Sequence, residues 1–301
     1  MDIIVCIKQA ARYNIPNAVD SSGQLKTEDR VLILNPYDEI AVEEALRIRE
    51  KIGSGSVTLV TVGPARAQAV LRRGLAMGAD AGLHLLSENG HFFDAWGIAA
   101  ILSAAISKMP HDLLLFGRLA IDDMRGQVGV FTAGLLKLPV VTAAARIDID
   151  HEKRTVRIER SLDRGNRELL ACPLPAAFTV DKVANRPRYP TWPARKQAQT
   201  AVIKAVSVEA LGFSGEPGEK INKTFISRYA PPKLRPKKIL APDSSMSAAN
   251  RLKFIMSGGM AKKSGEKLGG SPAQLADGII AFLSERKMIP PDHFLAGRTQ
   301  K

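Results

Sequence analysis

The chain has 301 residues, 45% of them hydrophobic and 24% charged, with a formal net charge of +13. These proportions fit one large or two modest globular domains and exclude a wholly disordered or collagen-like chain. No apolar run reaches the roughly 18 residues of a membrane-spanning helix, and Asp2 stands where a secretory signal would be basic. Cys6 and Cys172 are the only cysteines, which predicts a reducing, cytoplasmic setting without a cysteine-held metal.

In chain order, the first 180 residues alternate short apolar, β-branched runs with helical patterns. Strands are predicted at residues 2–7, 31–34, 56–62, 82–86, 113–116 and 176–180. After Pro36, Ala41, Ala45, Ile48 and Ile52 recur at helical spacing, which places Glu43, four residues before Arg47, on the wet face. A second apolar stripe, Ala67, Val70, Leu71, Gly74 and Leu75, stops at Gly78, a suitable helix terminator. Residues 140–149 and 155–162, then Arg164-Gly165-Asn166 and residues 168–171, break the alternation and predict antiparallel additions. The fold class expected is α/β: a three-layer α/β/α, Rossmann-like nucleotide-binding domain over a mainly parallel sheet, with an extended C-terminal arm.

The charge is concentrated in that arm. Residues 182–270 hold 18 Lys and Arg against 5 Asp and Glu, whereas residues 1–181 hold 21 against 22. Prolines at 187, 190, 193, 217, 231, 232, 236 and 242 argue against long regular elements there. The organisation expected is a domain at 1–188, a basic extended arm at 189–270, and a C-terminal helix and tail at 271–301. In the last part Ser271 can cap, Pro272 suits the first turn, and Leu275, Ile279, Phe282 and Leu283 form a stripe. Nucleic-acid binding is not expected, because the arm's few aromatics, Tyr189, Trp192, Phe213, Phe225, Tyr229 and Phe254, form no stacking platform. Trp192, between Thr191 and Pro193, fits no helical core pattern and reads as an anchor for a protein partner.

In an open α/β sheet, ligands bind outside the carboxyl ends of the strands. The loops there read Lys8-Gln9, Asn35-Pro36-Tyr37-Asp38, Gly63-Pro64 and the long segment from Gly117 to Gly129. The last runs from a strand end through a polar, Gly-containing stretch into a helix expected from about Gln127 to Lys137, an arrangement that offers backbone N–H groups to an anion. It is equally compatible with a long loop in which Asp122 and Asp123 cap the helix. Asn35 is open in the same way, as a turn residue or as a contact to a base or ribose. No His pair, nucleophile elbow or metal-ligand spacing occurs, so a binding or electron-carrying role is favoured over catalysis.

The chain resembles the β-subunits of electron transfer flavoproteins, including the FixA proteins. The matching stretches are residues 3–9, Asn35-Pro36-Tyr37-Asp38 with the helix that follows, Val62-Gly63-Pro64, residues 76–80, Gly117-Arg118, Ala120-Ile121-Asp122, Gly126-Gln127-Val128-Gly129 and Pro187-Arg188-Tyr189-Pro190. The resemblance covers about residues 1–195 and implies AMP, or in electron-bifurcating members FAD, in this subunit, with a further FAD in an α-subunit partner. It implies nucleotide contacts at Cys6, Asn35, Pro36, Tyr37, Asp38, Val62, Gly117, Arg118, Ala120, Ile121, Asp122, Asp123, Arg125, Gly126, Gln127 and Val128. It also implies a recognition loop at Tyr189 and Trp192 for an acyl-CoA-type or other flavin dehydrogenase, electron delivery to a membrane quinone oxidoreductase, and a C-terminal arm running over the α-subunit. Asp123, Met124 and Arg125 replace the Gly-Asp-Thr of many relatives, so a guanidinium enters where an acid and a hydroxyl are usual.

Overall fold

The computed structural model describes residues 1–13, 30–87, 93–213, 221–225, 242, 245–256, 269–286 and 288. It divides into two compact units, Met1–Pro232 and Lys233–Lys301.

The first unit is built on a nine-stranded sheet. In sequence order its strands are β1 (Asp2–Cys6), β4 (Ser56–Gly63), β5 (Ala81–Leu86), β6 (Leu113–Gly117), β7 (Val140–Asp150), β8 (Thr155–Ser161), β9 (Arg167–Pro173), β10 (Ala176–Val180) and β11 (Lys204–Ser207). In space they run β11-β5-β4-β1-β6-β10-β7-β8-β9. Pairing is parallel from β11 through β7, and only β7-β8-β9 is antiparallel. Helices α1 (Pro36–Ile52) and α2 (Gln68–Met77) belong to one face, and α3 (Ala95–Ile106) and α4 (Val128–Leu135) to the other. The three-layer expectation therefore holds.

Residue alternation along the strands produces the two cores. Ile3, Val5, Leu59, Leu113, Leu115 and Phe178 face α1 and α2, while Ile4, Val60, Leu85, Leu114, Phe116 and Ala177 face α3 and α4. The central strands are buried on both faces, as a doubly covered parallel sheet requires. Phe178 is wholly inaccessible, so truncation to Ala would cost about 3–5 kcal/mol.

Four local expectations need correction. The apolar run 31–34 is not a strand of the main sheet: β3 (Arg30–Leu34) pairs antiparallel with β2 (Gln9–Tyr13) in a separate ribbon. Both edges of β1 are already taken by β4 and β6, and composition alone does not distinguish the two settings. Of the run 140–149, residues 140–144 pair in parallel with β10, and the strand from Ala144 onward pairs antiparallel with β8.

Glu43 is 4% exposed rather than on a wet face, because Arg188 donates Nε to its Oε2 at 2.9 Å and Nη2 to its Oε1 at 3.1 Å, with Arg47 beside it at 3.2 Å. The same Arg188 reaches Glu50, and Asn185 donates Nδ2 to Glu44 at 2.8 Å, so the chain after β10 is clipped along α1.

The arm also begins with regular structure. Helix α5 (Trp192–Thr200) starts with Thr191 Oγ1 accepting from the Ala194 N–H, and Pro193 lies in its first turn, where the missing N–H has no helical partner to lose. Its last carbonyls are gathered by Arg72, whose Nη1 donates to Ala198 O at 2.8 Å and Gln199 O at 2.6 Å. β11 then joins β5 at the sheet edge. Farther on, Lys223 and Thr224 donate their N–H groups to Asp94 Oδ2 at 2.7 and 2.8 Å, while Asp94 Oδ1 caps α3 through Gly97. Most of the remaining Pro-rich segment, 214–244, lies outside the described residues.

The second unit contains α6 (Ala248–Met256) and α7 (Pro272–Glu285). The start of α7 is as expected, with Ser271 and Gln274 forming a reciprocal capping box ahead of Pro272. Its stripe is only partly covered: Ile279 and Phe282 are about half exposed.

Candidate functional site

The carboxyl ends of β1, β4, β6 and β10 bring together the loops singled out by sequence. Asp38, in the first turn of α1, ties two of them. Its Oδ2 accepts the Lys8 N–H at 2.7 Å after β1, and its Oδ1 accepts the Gly117 N–H at 3.1 Å after β6. A Cβ on Gly117 would collide with Asp38 Oδ1 and lie 2.7 Å from the Tyr37 carbonyl carbon, so only glycine fits. Burial pushes the Asp38 carboxyl up to about 7, against the lowering effect of bonds from Lys8, Asn35 and Gly117. Cys6, buried at the end of β1, has its thiol raised well above the ordinary range, first by desolvation and then by the charge of Asp38. It is a packing residue in a site whose backbone carries the polar groups.

Asn35 braces the long loop. It is 1% exposed, donates Nδ2 to Leu119 O at 2.9 Å and accepts the Ile121 N–H on Oδ1 at 3.2 Å. The side chain is therefore engaged with the protein itself. Pro36 begins α1 on the surface, Tyr37 is half-buried beside it, and Val62 is half-buried at the end of β4.

Asp122 and Asp123 do not cap α4. They face Lys8, whose Nζ lies 2.8 Å from Asp122 Oδ1 and 3.2 Å from Asp123 Oδ2. Burial would lower the Lys8 pKa, but hydrogen bonds and charge from these two acids raise it above its ordinary value. The N-cap of α4 is Gln127, which makes no side-chain cap bond. The first helical backbone bond is Phe131 N–H to Gln127 O at 3.0 Å, so the N–H groups at the start of α4 have no partner within the helix. Gly126, just before it, has φ +62°, and a Cβ there would stand 2.8 Å from Arg118 O. Ala120 closes a turn by accepting the Met124 N–H at 2.9 Å, and Val128 packs onto the α3–α4 core. The donor set fits an anion: an uncapped helix start with a positive dipole end, Arg125 beside it, and both nearby acids held by Lys8.

Arg118 turns away from this point to Asp181, at 2.7 Å. Tyr189 and Trp192 lie outside the crevice and are 84% and 76% exposed. The guanidinium carbons of Arg73 and Arg195 lie 5.8 and 5.9 Å from the Tyr189 ring centroid.

The electron transfer flavoprotein domain family matches residues 23–211. The β-subunit of the mitochondrial electron transfer flavoprotein of Arabidopsis thaliana is 37% identical over 213 residues, 70% of this chain and 83% of that protein. The β-subunit of Bacillus subtilis (strain 168) is 32% identical over 273 residues, 90% of this chain and 93% of its own length. This chain belongs to the electron transfer flavoprotein β-subunit family. A third relative, the β-subunit of Sus scrofa, is 39% identical over 181 residues, 60% of this chain and 70% of that protein. Among the described residues no helix is long and apolar enough to cross a membrane.

Sequence reasoning did not assign a role to Lys8. Lys8 was legible as a cation directly after a strand whose end faces Asp122-Asp123.

Proposed function

We propose that this β-subunit holds one AMP in the strand-end crevice and pairs with a FAD-bearing α-subunit. The pair would relay electrons in the cytoplasm from an acyl-CoA-type or other flavin dehydrogenase towards a membrane quinone oxidoreductase. The observation that carries the nucleotide reading is the uncapped start of α4 beneath a loop braced from three directions, by Asn35, Asp38 and Lys8. AMP has no redox chemistry and would act as a structural ligand; the partner's FAD supplies the one- and two-electron steps.

This chain's residues would divide the work. Backbone N–H groups from Gly126 to Val128 bind the phosphate, and the Arg125 guanidinium adds charge; the Arg125 N–H is already given to Asp123 Oδ1 at 3.3 Å. Lys8 keeps Asp122 and Asp123 from repelling it, and the Asn35 and Asp38 bonds fix the loop before the ligand arrives. Tyr189 and Trp192 would dock the dehydrogenase, since two large aromatic side chains three residues apart are left exposed at the Pro-containing start of α5.

Gly126→Pro tests the nucleotide reading, because proline cannot adopt φ +62° and lacks the N–H. The purified variant is expected to lose bound AMP while keeping its partner subunit; AMP at the wild-type stoichiometry would overturn the assignment.

A further inference from the structure

Beside the nucleotide loop, whose Arg125 and Gly126 form part of its wall, lies a cleft of about 400 Å³ that reaches the β7–β8 hairpin. Arg118, Arg125, Thr142, Arg160, Ser161 and Thr179 line it. Its floor is an irregularity in β7: Ala143 has φ +58°, its N–H is taken by Thr179 Oγ1 at 3.0 Å, and the β7–β10 register shifts between Phe178 and Val180. Such bulges re-aim side chains next to functional sites.

The lining is rich in donors and poor in free acceptors. Thr142 Oγ1 already accepts from Arg160 Nη2 at 3.0 Å, Ser161 Oγ from Arg167 Nη1 at 2.7 Å, and Thr179 Oγ1 from the Ala143 N–H. Each hydroxyl therefore keeps its own proton to give. Arg160 Nε is buried without an acceptor, and its Nη1 reaches Glu168 only at 3.4 Å. Among the described residues no carboxylate lies within ion-pair distance of Arg125, whereas Arg118 is matched by Asp181 at 2.7 Å. Asp163 is the one acid on the lining, and it is exposed.

Two guanidiniums with unspent donors and three hydroxyl protons ask for a ligand with several anionic oxygens. A phosphoryl group supplies them; a carboxylate has only two. We propose that this cleft is a second phosphoryl-binding subsite, adjoining the one at the start of α4, with Arg160 as its principal cation and Arg125 and Gly126 bordering both. This rests on the nucleotide reading above. The phosphoryl group has two possible sources: a free phosphate or phosphate ester bound alongside AMP, or the terminal phosphate of ADP bound in place of AMP.

The test is calorimetric titration of the full chain, stripped of nucleotide, with AMP, with ADP, and with inorganic phosphate both alone and in the presence of saturating AMP. ADP binding about tenfold or more tightly than AMP identifies the terminal phosphate as the occupant; saturable phosphate binding on the AMP-loaded chain identifies a free ester. In either case Arg160→Gln is expected to abolish that gain while leaving AMP affinity within about twofold. Ser161→Asp, which places a negative charge in the cleft without touching Arg160, is expected to do the same, and it guards against a fold defect in the first variant. Equal affinity for AMP and ADP with no phosphate binding overturns the subsite while leaving the nucleotide reading intact. Failure to bind AMP, with phosphate still bound in an Arg160-dependent way, overturns the nucleotide reading alone; failure to bind any of the three overturns both.

Discussion

The Lys8 ammonium lies 2.8 Å from Oδ1 of Asp122, 114 residues further along the chain. This pair joins the end of β1 to the loop that leads into α4, and with Asp123 it places two carboxylates on one cation. Without it, two acids would stand close to a helix start that is otherwise arranged for an anion.

Lys8→Met should therefore weaken nucleotide retention more than it weakens the fold. The pair is partly exposed, so the change in unfolding free energy is expected to stay within about 1 kcal/mol. AMP affinity should fall by about tenfold at low salt, and by less at high salt as the freed carboxylates are screened. Titrations at two ionic strengths check this; an unchanged affinity would remove the neutralising role.

Asn35→Ala leaves the Leu119 carbonyl and the Ile121 N–H without their partner at a 1% exposed position. Loss of about 1–3 kcal/mol in urea unfolding is expected, together with weaker AMP binding as the loop loosens. If binding fell while stability stayed at the wild-type value, Asn35 would instead be a direct ligand contact.

Asp38 makes stability depend on pH in a definite direction. Its carboxyl is raised by burial from an ordinary value of 3.8 to about 7 in the folded chain. Between those values the folded state binds the extra proton, so the stabilisation from the raised pKa is full below about 4 and is lost as pH rises through 7. Glu44, also raised by burial, acts in the same sense. Asp94, Asp112 and Asp148 have lowered pKa values, so they act only below the ordinary carboxylate range. Urea midpoints should decline from pH 5 to pH 7.5, and Asp38→Asn should flatten that decline. A midpoint that rises across this window would contradict the assignment.

Trp192→Ala removes an indole that is 76% exposed and begins α5. Thermal stability should change by no more than about 0.5 kcal/mol, whereas the rate of electron transfer from the partner dehydrogenase should fall by about tenfold or more. Stopped-flow flavin reduction measures the second, and a large loss of stability with unaltered transfer would show a structural residue.

Much of the fold was legible because short β-branched apolar runs and helical stripes are local signals. The parallel strands and the Gly78 stop were read from residues within one turn or strand of each other. The features missed are those set by distant partners. Residues 31–34 have the composition of a core strand, yet both neighbours of β1 are already in place. Glu43 has the spacing of a surface pair, yet Arg188 covers it from 145 residues away. Pro193 argued against a helix in the arm, whereas a proline in the first helical turn loses no bond. At the site, the strand-end rule and then the resemblance located the loops, and the structure assigned their side chains: Asn35 holds the loop, and Asp122 and Asp123 answer Lys8 rather than capping α4.

The most direct test of the account is a count of adenylate and flavin in the gently purified complex of this chain with its partner subunit. Acid release of the ligands followed by chromatographic quantification gives both numbers. The account predicts one FAD and one adenine mononucleotide per pair, with the mononucleotide lost in Gly126→Pro and the FAD retained. Two FAD per pair, or one FAD with no adenine mononucleotide, would contradict it.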